Sequence, residues 1–407
     1  MNTQTFEQLP EFIIHAYHNT KTVKSIFDRA GIQPSDIQSV ADLDRIPVTS
    51  KDRLVELQAQ DPPFGGLLTV PLEQLQHIYL SPGPLYEPDA GESASLDSVK
   101  EMATIAGFGE QDVILNAFGY HYIPTGLALD TSLINAGATV IPAGVGNAEL
   151  QIKMMLDHRV TGYTGTPSWL MALITKAEES GLNFTEQFSL SKALVSAEPL
   201  PPSLRAKFVD EYQIQLTNAY GTAELGFLAY STEPGLAMHL LETSIIQVVN
   251  PETGLSVNPG EVGEVAVTTF NKIYPLIRLG TGDLAMNLDP APGESRQRDR
   301  SIILVGRVGD AVKVRGMFIH PNQLRFAASQ VPGVKQIQAI VTRPENRDEL
   351  ELIVILSDLE LDHDALSNAM SKAIQSTCRI KVDQVYIVSE EGLSESDQLI
   401  IDKRTWE

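Results

Sequence analysis

The chain has 407 residues, 52 acidic against 30 basic side chains, a formal net charge of −22 and 43% hydrophobic residues, a length that suits a large domain plus a smaller one. Its acidic balance, without a clustered basic footprint, excludes a nucleic-acid partner, and the lone Cys378 excludes an intrachain disulfide or a cysteine-built zinc site. No run approaches the roughly 20 apolar residues of a membrane span, Met1–Leu9 lacks the regions of a secretion signal, and the cytoplasm is the expected compartment.

Apolar residues at helical spacing (Phe6, Leu9, Phe12, Ile13, Tyr17) predict a helical cap over residues 1–60, in which Thr49 and Ser50 form a helix cap before Lys51. From 76 to 235 the pattern alternates. Strands are expected at 77–80, 112–118, 139–142, 162–165, 193–196 and 215–219, with helices near 96–106, 125–136, 149–159, 168–179 and 203–212. This βαβ alternation argues for an α/β fold with a mostly parallel sheet, whose ligands bind beyond the carboxyl ends of the strands. Strand-like runs then predict an antiparallel β subdomain over 236–305, and 307–407 reads as a small α+β domain.

The stretch Asn218-Ala219-Tyr220-Gly221-Thr222-Ala223-Glu224 reads as a strand running into a polar loop, in which glycine lets the backbone approach a flat ligand while Thr222 and Glu224 offer a hydroxyl and a carboxylate. A bland β-turn is the competing reading. Asp283, in Thr281-Gly282-Asp283, is suited to accept two hydrogen bonds from a ribose diol or to close an Asx turn. Arg307 is a bidentate donor or a surface ion-pair partner, and alternation along Val312–Gly316 places Lys313 and Arg315 on one strand face. No Gly-x-Ser-x-Gly elbow is present, which argues against an α/β hydrolase.

Taken in order, Ser196-Ala197-Glu198-Pro199, Asn218–Gly226, Arg278–Asp283 and Gly306–Gly316 resemble the motifs of the adenylate-forming superfamily, most closely the phenylacetate-CoA ligase-like proteins, over roughly residues 30–390. The resemblance implies an N-terminal adenylate-forming domain over 1–306 and a mobile lid over 307–407. It implies that Ala197, Glu198, Pro199, Asn218, Ala219, Tyr220, Gly221 and Thr222 border the nucleotide, with Tyr220 on adenine, Asp283 and Arg307 on the ribose, and Glu224 catalytic and on Mg²⁺. Gly309 takes the hinge position, and Lys313, Arg315 and Gly316 line the coenzyme A path. Phe118, Tyr120, His121 and Tyr122 match the acyl pocket, and Ile46–Lys51 matches the family's opening segment. The implied cofactors are ATP or AMP, Mg²⁺ and coenzyme A. The implied partner is a small carboxylate, aryl in character, and a homodimer is the family's habit.

Two places depart from that pattern. Where the superfamily carries a phosphate-gripping loop ending in lysine, this chain has Ser81–Pro88, in which Pro82, Pro84 and Pro88 lack backbone donors and Glu87 adds negative charge. The catalytic lysine position of the C-terminal tail falls at Gln398 or Leu399, leaving Lys403 or Arg404 as substitutes. Activation by ATP is therefore expected to be impaired. An AMP or acyl-adenylate sensor of the same fold is the alternative.

Overall fold

The computed structural model describes residues 4–81, 84–91, 94–308, 312–315, 317–319, 321–357, 362–378, 380–388 and 398–404. Among them the chain opens on helices α1 (Gln4–Glu7), α2 (Leu9–Asn19), α3 (Lys21–Ala30) and α4 (Lys51–Gln60). The Thr20 hydroxyl caps α3 by accepting from the Val23 N–H. Ser50 caps α4 in the same way through the Arg53 N–H, as the Thr-Ser pair leads one to expect. These helices bury Leu9, Phe12 and Phe27 in one core with Leu228, Ile246 and Val265. Each such side chain contributes about 1.5–3 kcal/mol by leaving water.

An antiparallel hairpin of β1 (His77–Ser81) and β2 (Leu85–Asp89) follows, then α5 (Ala94–Ile105). The α/β alternation runs β3 (Val113–Asn116), α6 (Thr125–Asn135), β4 (Thr139–Pro142), α7 (Ala148–Asp157), β5 (Gly162–Gly165), α8 (Pro167–Glu179), α9 (Phe184–Gln187), β6 (Lys192–Val195), α10 (Pro202–Ala206) and β7 (Gln215–Thr222). Five strands, β3 to β7, pair in parallel. The antiparallel strands β8 (Gly226–Ser231), β9 (Met238–Leu240), β10 (Ser244–Val249), β11 (Val262–Thr269), β12 (Leu279–Leu288) and β13 (Ser301–Arg307) do not stand apart. They continue the parallel strands in one mixed sheet ordered β10-β11-β12-β13-β9-β8-β7-β6-β5-β3-β4.

Contacts divide the chain into two compact units, the first comprising residues 1–165, 169–196 and 202–308, and the second 166–168, 197–201 and 309–407. The second contains the hairpin β14 (Val312–Val314) and β15 (Met317–Ile319), and helix α11 (Pro321–Ser329). Strands β16 (Val334–Thr342) and β17 (Glu349–Leu356), helix α12 (His363–Cys378) and strands β18 (Gln384–Val388) and β19 (Ile400–Asp402) complete it. Its four-stranded sheet, ordered β18-β17-β16-β19, shares a core with Leu324, Ile374 and Cys378.

Three segments differ from the sequence expectation. Leu85–Asp89 is a strand rather than a loop: Leu85 and Glu87 point inward and Tyr86 outward, the period of two that a half-buried strand imposes. Strand β7 runs on to Thr222, and Asp283 sits inside the ten-residue β12 rather than in a turn after it.

Candidate functional site

One group of the expected site residues in the first unit lies on strands β7, β12 and β13. Strand β7 turns into β8 through Ala223–Leu225, and Gly221 permits that turn, since a Cβ there would meet the Gly226 carbonyl at 2.3 Å. Tyr220, 9% exposed, donates its hydroxyl to Asp283 Oδ2 at 2.9 Å, and Arg307 Nε lies 3.0 Å from Asp283 Oδ1. Direct pairing of β12 with β13 sets Asp283 opposite Arg307, which explains why residues 24 positions apart meet. The Asp283 N–H donates to Thr281 Oγ1 at 3.1 Å, and the Gly282 N–H donates to Glu264 Oε1 at 2.9 Å. Burial, reinforced by the Asp283 charge, pushes the Tyr220 phenol well above its ordinary value, so it stays a donor. The structure thus brings Tyr220, Asp283 and Arg307 into one hydrogen-bonded set. The buried ring acts as a support for the carboxylate.

A second group in the same unit centres on Glu224. Its Oε2 lies 3.0 Å from Lys51 Nζ, with side-chain exposures of 4% for the acid and 24% for the lysine. Burial alone would raise this carboxyl, but Lys51, with the Glu224 backbone N–H, holds it below the usual range. The lysine arrives by a traceable route. Thr49 pairs with the start of β12, its N–H donating to the Arg278 carbonyl at 3.0 Å and its carbonyl accepting from Gly280 at 2.9 Å. Arg278, 1% exposed, donates to the Ile46 carbonyl at 2.5 Å and to Asp44 at 3.2 Å, which fixes the residues ahead of α4. Helix α4 also fixes β2, because the Gln58 side chain donates to the Tyr86 carbonyl and accepts from its N–H, both at 2.8 Å. One helix therefore sets both Lys51 and the neighbour of Glu87.

Glu87 is the third member of this group. It is 8% exposed, and its Oε1 has no hydrogen-bond partner among the described residues. Burial first, then the Glu224 charge, push its carboxyl up to about 8, with the Ser81 hydroxyl and then Lys51 acting in the opposite sense. In the sequence Glu87 reads only as an unwelcome charge, and Lys51 only as the end of a family-like opening segment behind a helix cap. The alternation Leu85-Tyr86-Glu87 is the signal that would have placed the acid inward.

The other expected residues are dispersed. Ala197 adopts a left-handed φ of 75°, which a residue other than glycine holds at a cost, and in the second unit Glu198 accepts from the Ser168 hydroxyl at 2.9 Å. Burial raises the Glu198 carboxyl, and Ser168 works against that rise. Asn218 and Ala219 lie on β7, Ala219 buried with its carbonyl accepting from Ser196 Oγ at 2.7 Å. Phe118 is buried, the Tyr120 hydroxyl lies between Asn116 and Asp130 at 2.8 and 3.0 Å, and Tyr122 is 67% exposed. His121 is exposed as well.

In the second unit the strand ends at Val314, so Arg315 does not follow Lys313 along one face. It is a left-handed turn residue, φ 48°, whose guanidinium binds Asp383 at 2.9 Å and the Lys381 carbonyl. Arg404 is committed to Asp348 at 3.0 Å and to Asp402, whereas Lys403 is exposed. Gly309, Gly316 and the Lys313 side chain lie outside the described residues, as do 389–397 of the tail.

Among the described residues no group of three His, Cys, Asp or Glu side chains is placed to hold a metal, and Glu224 already faces an ammonium. This donor set does not fit a magnesium ion by itself. No helix among the described residues is long and apolar enough to cross a membrane.

Comparison with known proteins places this geometry. Residues 92–271 match the AMP-binding enzyme family model. A phenylacetate-coenzyme A ligase of Thermus thermophilus is 29% identical over 382 residues, covering 90% of this chain and 84% of the relative. That of Escherichia coli is 30% identical over 372 residues, covering 86% and 82%. The fold matches a 2-hydroxyisobutyryl-CoA ligase, solved in complex with 2-HIB-AMP and CoA, with a TM-score of 0.83 at 23% identity, covering 98% of this chain and 88% of that one. On these similarities, and with the sheet and motif order described above, the chain belongs to the phenylacetate-CoA ligase family of AMP-binding enzymes.

Proposed function

We propose that this protein is an AMP-forming carboxylate–CoA ligase whose activation of the acid by ATP is impaired and whose transfer of an acyl-adenylate to coenzyme A is retained. The observation that carries this reading is the contrast between a complete Tyr220–Asp283–Arg307 set and a buried, proline-flanked Glu87 where polyphosphate would lie. Asp283 accepts from the ribose hydroxyls and Arg307 stays beside it. The strands bearing Asn218–Thr222 border the base, with Ala197–Pro199 on the next loop. An AMP unit brings far less charge past Glu87 than a triphosphate does. Residues 307–407 form the lid, turning about Gly309, with Lys313 and Gly316 toward coenzyme A.

In the retained step the thiol sulfur of coenzyme A attacks the acyl carbon and a carbon–sulfur bond forms. The carbon–oxygen bond to AMP then breaks, AMP leaves with the electron pair, and the thiol proton passes to solvent. No redox partner is needed. The acid is a small, aryl carboxylate. Lys403, exposed near the tail, is the lysine that serves the residual activation step. Loss of a charge-stabilising group costs on the order of a hundredfold in rate.

A paired assay tests this: carboxylate-dependent ATP–pyrophosphate exchange, and thioester formation from synthetic aryl acyl-AMP. Slow exchange with brisk thioester formation is expected, and exchange at an ordinary ligase rate would overturn the impaired-activation claim. The commitment of Arg404 to Asp348 and Asp402 favours a second reading, a sensor of AMP or acyl-adenylate. That reading predicts AMP binding with silence in both assays.

A further inference from the structure

Strands β11 and β12 fall out of register at one place. Glu264 lies opposite Leu284 and Ala266 opposite Gly280, so Val265 on β11 faces Thr281, Gly282 and Asp283 on β12. A bulge of this kind leaves backbone groups without ladder partners and re-aims the side chains it carries, and bulges are over-represented beside functional sites for that reason. Here side chains answer the stranded amides. The Asp283 N–H donates to Thr281 Oγ1, and the Gly282 N–H donates across the strand pair to Glu264 Oε1 at 2.9 Å. Gly282 takes a left-handed φ of 76°, and Gly280 leaves the carboxylate its room, since a Cβ there would meet Glu264 Oε1 at 2.5 Å.

An acid is a demanding choice for a single amide. Glu264 is buried, and burial raises its carboxyl; the Gly282 N–H opposes that rise, the Asp283 charge adds to it and Lys51 opposes it. A carboxylate offers a stronger bond than a neutral acceptor would, by about twofold. That bond acts on the residue directly before Asp283, whose two oxygens meet the Tyr220 hydroxyl and Arg307. Without the acceptor the Gly282 amide is left unanswered, and a slip of one residue in the pairing would turn Asp283 to the opposite face of the sheet.

We propose that Glu264 is a positioning residue for nucleotide binding: by accepting from the Gly282 amide it keeps the bulge from relaxing, and so holds the Asp283 carboxylate where ribose hydroxyls donate to it. This role rests on the reading of Asp283 as the ribose acceptor and is independent of the ATP step.

The test compares AMP with 2′,3′-dideoxy-AMP on the full chain by calorimetry, because the ratio of the two affinities reads the ribose contact and is not moved by a general loss of stability. Wild type is expected to prefer AMP by about thirtyfold, and Asp283→Ala to bind the two alike. Glu264→Gln keeps an acceptor oxygen and should retain a preference of about tenfold. Glu264→Asp keeps the charge but draws the acceptor back by about 1.5 Å, beyond hydrogen-bond reach, and should fall to about threefold or less. Glu264→Ala, with no acceptor, should fall as far and keeps the claim testable if the aspartate variant does not fold. A wild-type preference kept in Glu264→Asp and Glu264→Ala, or a fall in Glu264→Gln as deep as theirs, overturns the positioning role. Wild type that binds AMP and its dideoxy analogue alike, or neither at millimolar concentration, overturns instead the ribose reading beneath it.

Discussion

The group around Asp283 and the group around Glu224 satisfy their buried polar side chains in different ways. Around Asp283 each named group has a protein partner: the tyrosine hydroxyl, the arginine and the hydroxyl of Thr281. Around Glu224 two buried carboxyls share one lysine, and an oxygen of Glu87 is left over. The first arrangement is a preorganised acceptor held by a network that resists change. The second meets both ways in which a buried acid is tolerated: Glu224 gains a cationic partner, and Glu87 keeps its proton up to about pH 8. The contrast shows that one fold can hold two buried carboxyl groups in opposite ways, one fully partnered and one short of donors.

The largest expected effect breaks this comparison by pH. The Glu87 carboxyl is raised to about 8 from an ordinary 4.5, so between those values the native state holds more protons than the unfolded chain. Stability therefore falls as pH rises from about 4.5 to about 8, by up to roughly 5 kcal/mol at 1.36 kcal/mol per unit. Urea unfolding of wild type and Glu87→Gln at several pH values reads this directly. The wild-type slope should be more negative than the variant's in that window, and identical slopes would refute the raised Glu87 carboxyl.

Removing the shared lysine comes next. Lys51→Met leaves Glu224 buried beside Glu87 without its counter-ion and should cost about 3 kcal/mol in the same unfolding experiment. A loss below about 1 kcal/mol would mean that the pair is solvated and worth no more than a surface salt bridge.

At Asp283 the effect should appear in binding. Asp283→Ala should weaken AMP binding by about 2 kcal/mol, the cost of hydroxyls left without an acceptor, as measured by calorimetry. Wild type that binds no AMP at millimolar concentration would remove the nucleotide assignment altogether. The smallest expected change in the folded molecule is at Lys403, which is exposed. Lys403→Ala should leave the melting temperature within about a degree, as surface changes of under about 0.5 kcal/mol do, and yet abolish residual ATP–pyrophosphate exchange. Exchange that persists would clear Lys403 of that role.

Much of the architecture was legible because it rests on local pattern. The parallel strands 139–142 and 162–165 and the helix beginning at Thr125 fall where hydrophobic periodicity and turn residues place them. Ser50 caps α4 through its own short side chain, a preference that acts over three residues. The proline-rich Ser81–Pro88 misled, because prolines argue for a loop, whereas a two-stranded hairpin has free edges that accommodate Pro88 without losing a ladder bond in a sheet interior. Arg315 misled in the other direction, since a left-handed turn ends the alternation one residue early.

The sequence by itself determined the α/β class, the order of the motif loops and the unusual acid among prolines, because period, turn chemistry and residue type are properties of neighbours along the chain. Only the tertiary structure decided that Lys51 meets Glu224 across 173 positions and that Asp283 faces Arg307 and Tyr220. It alone buried Glu87 near Glu224 and spent Arg404 on Asp348. Those meetings follow from strand register and from one helix docked by Arg278 and Gln58. Register and docking are set by long-range packing, which no window of neighbouring residues contains.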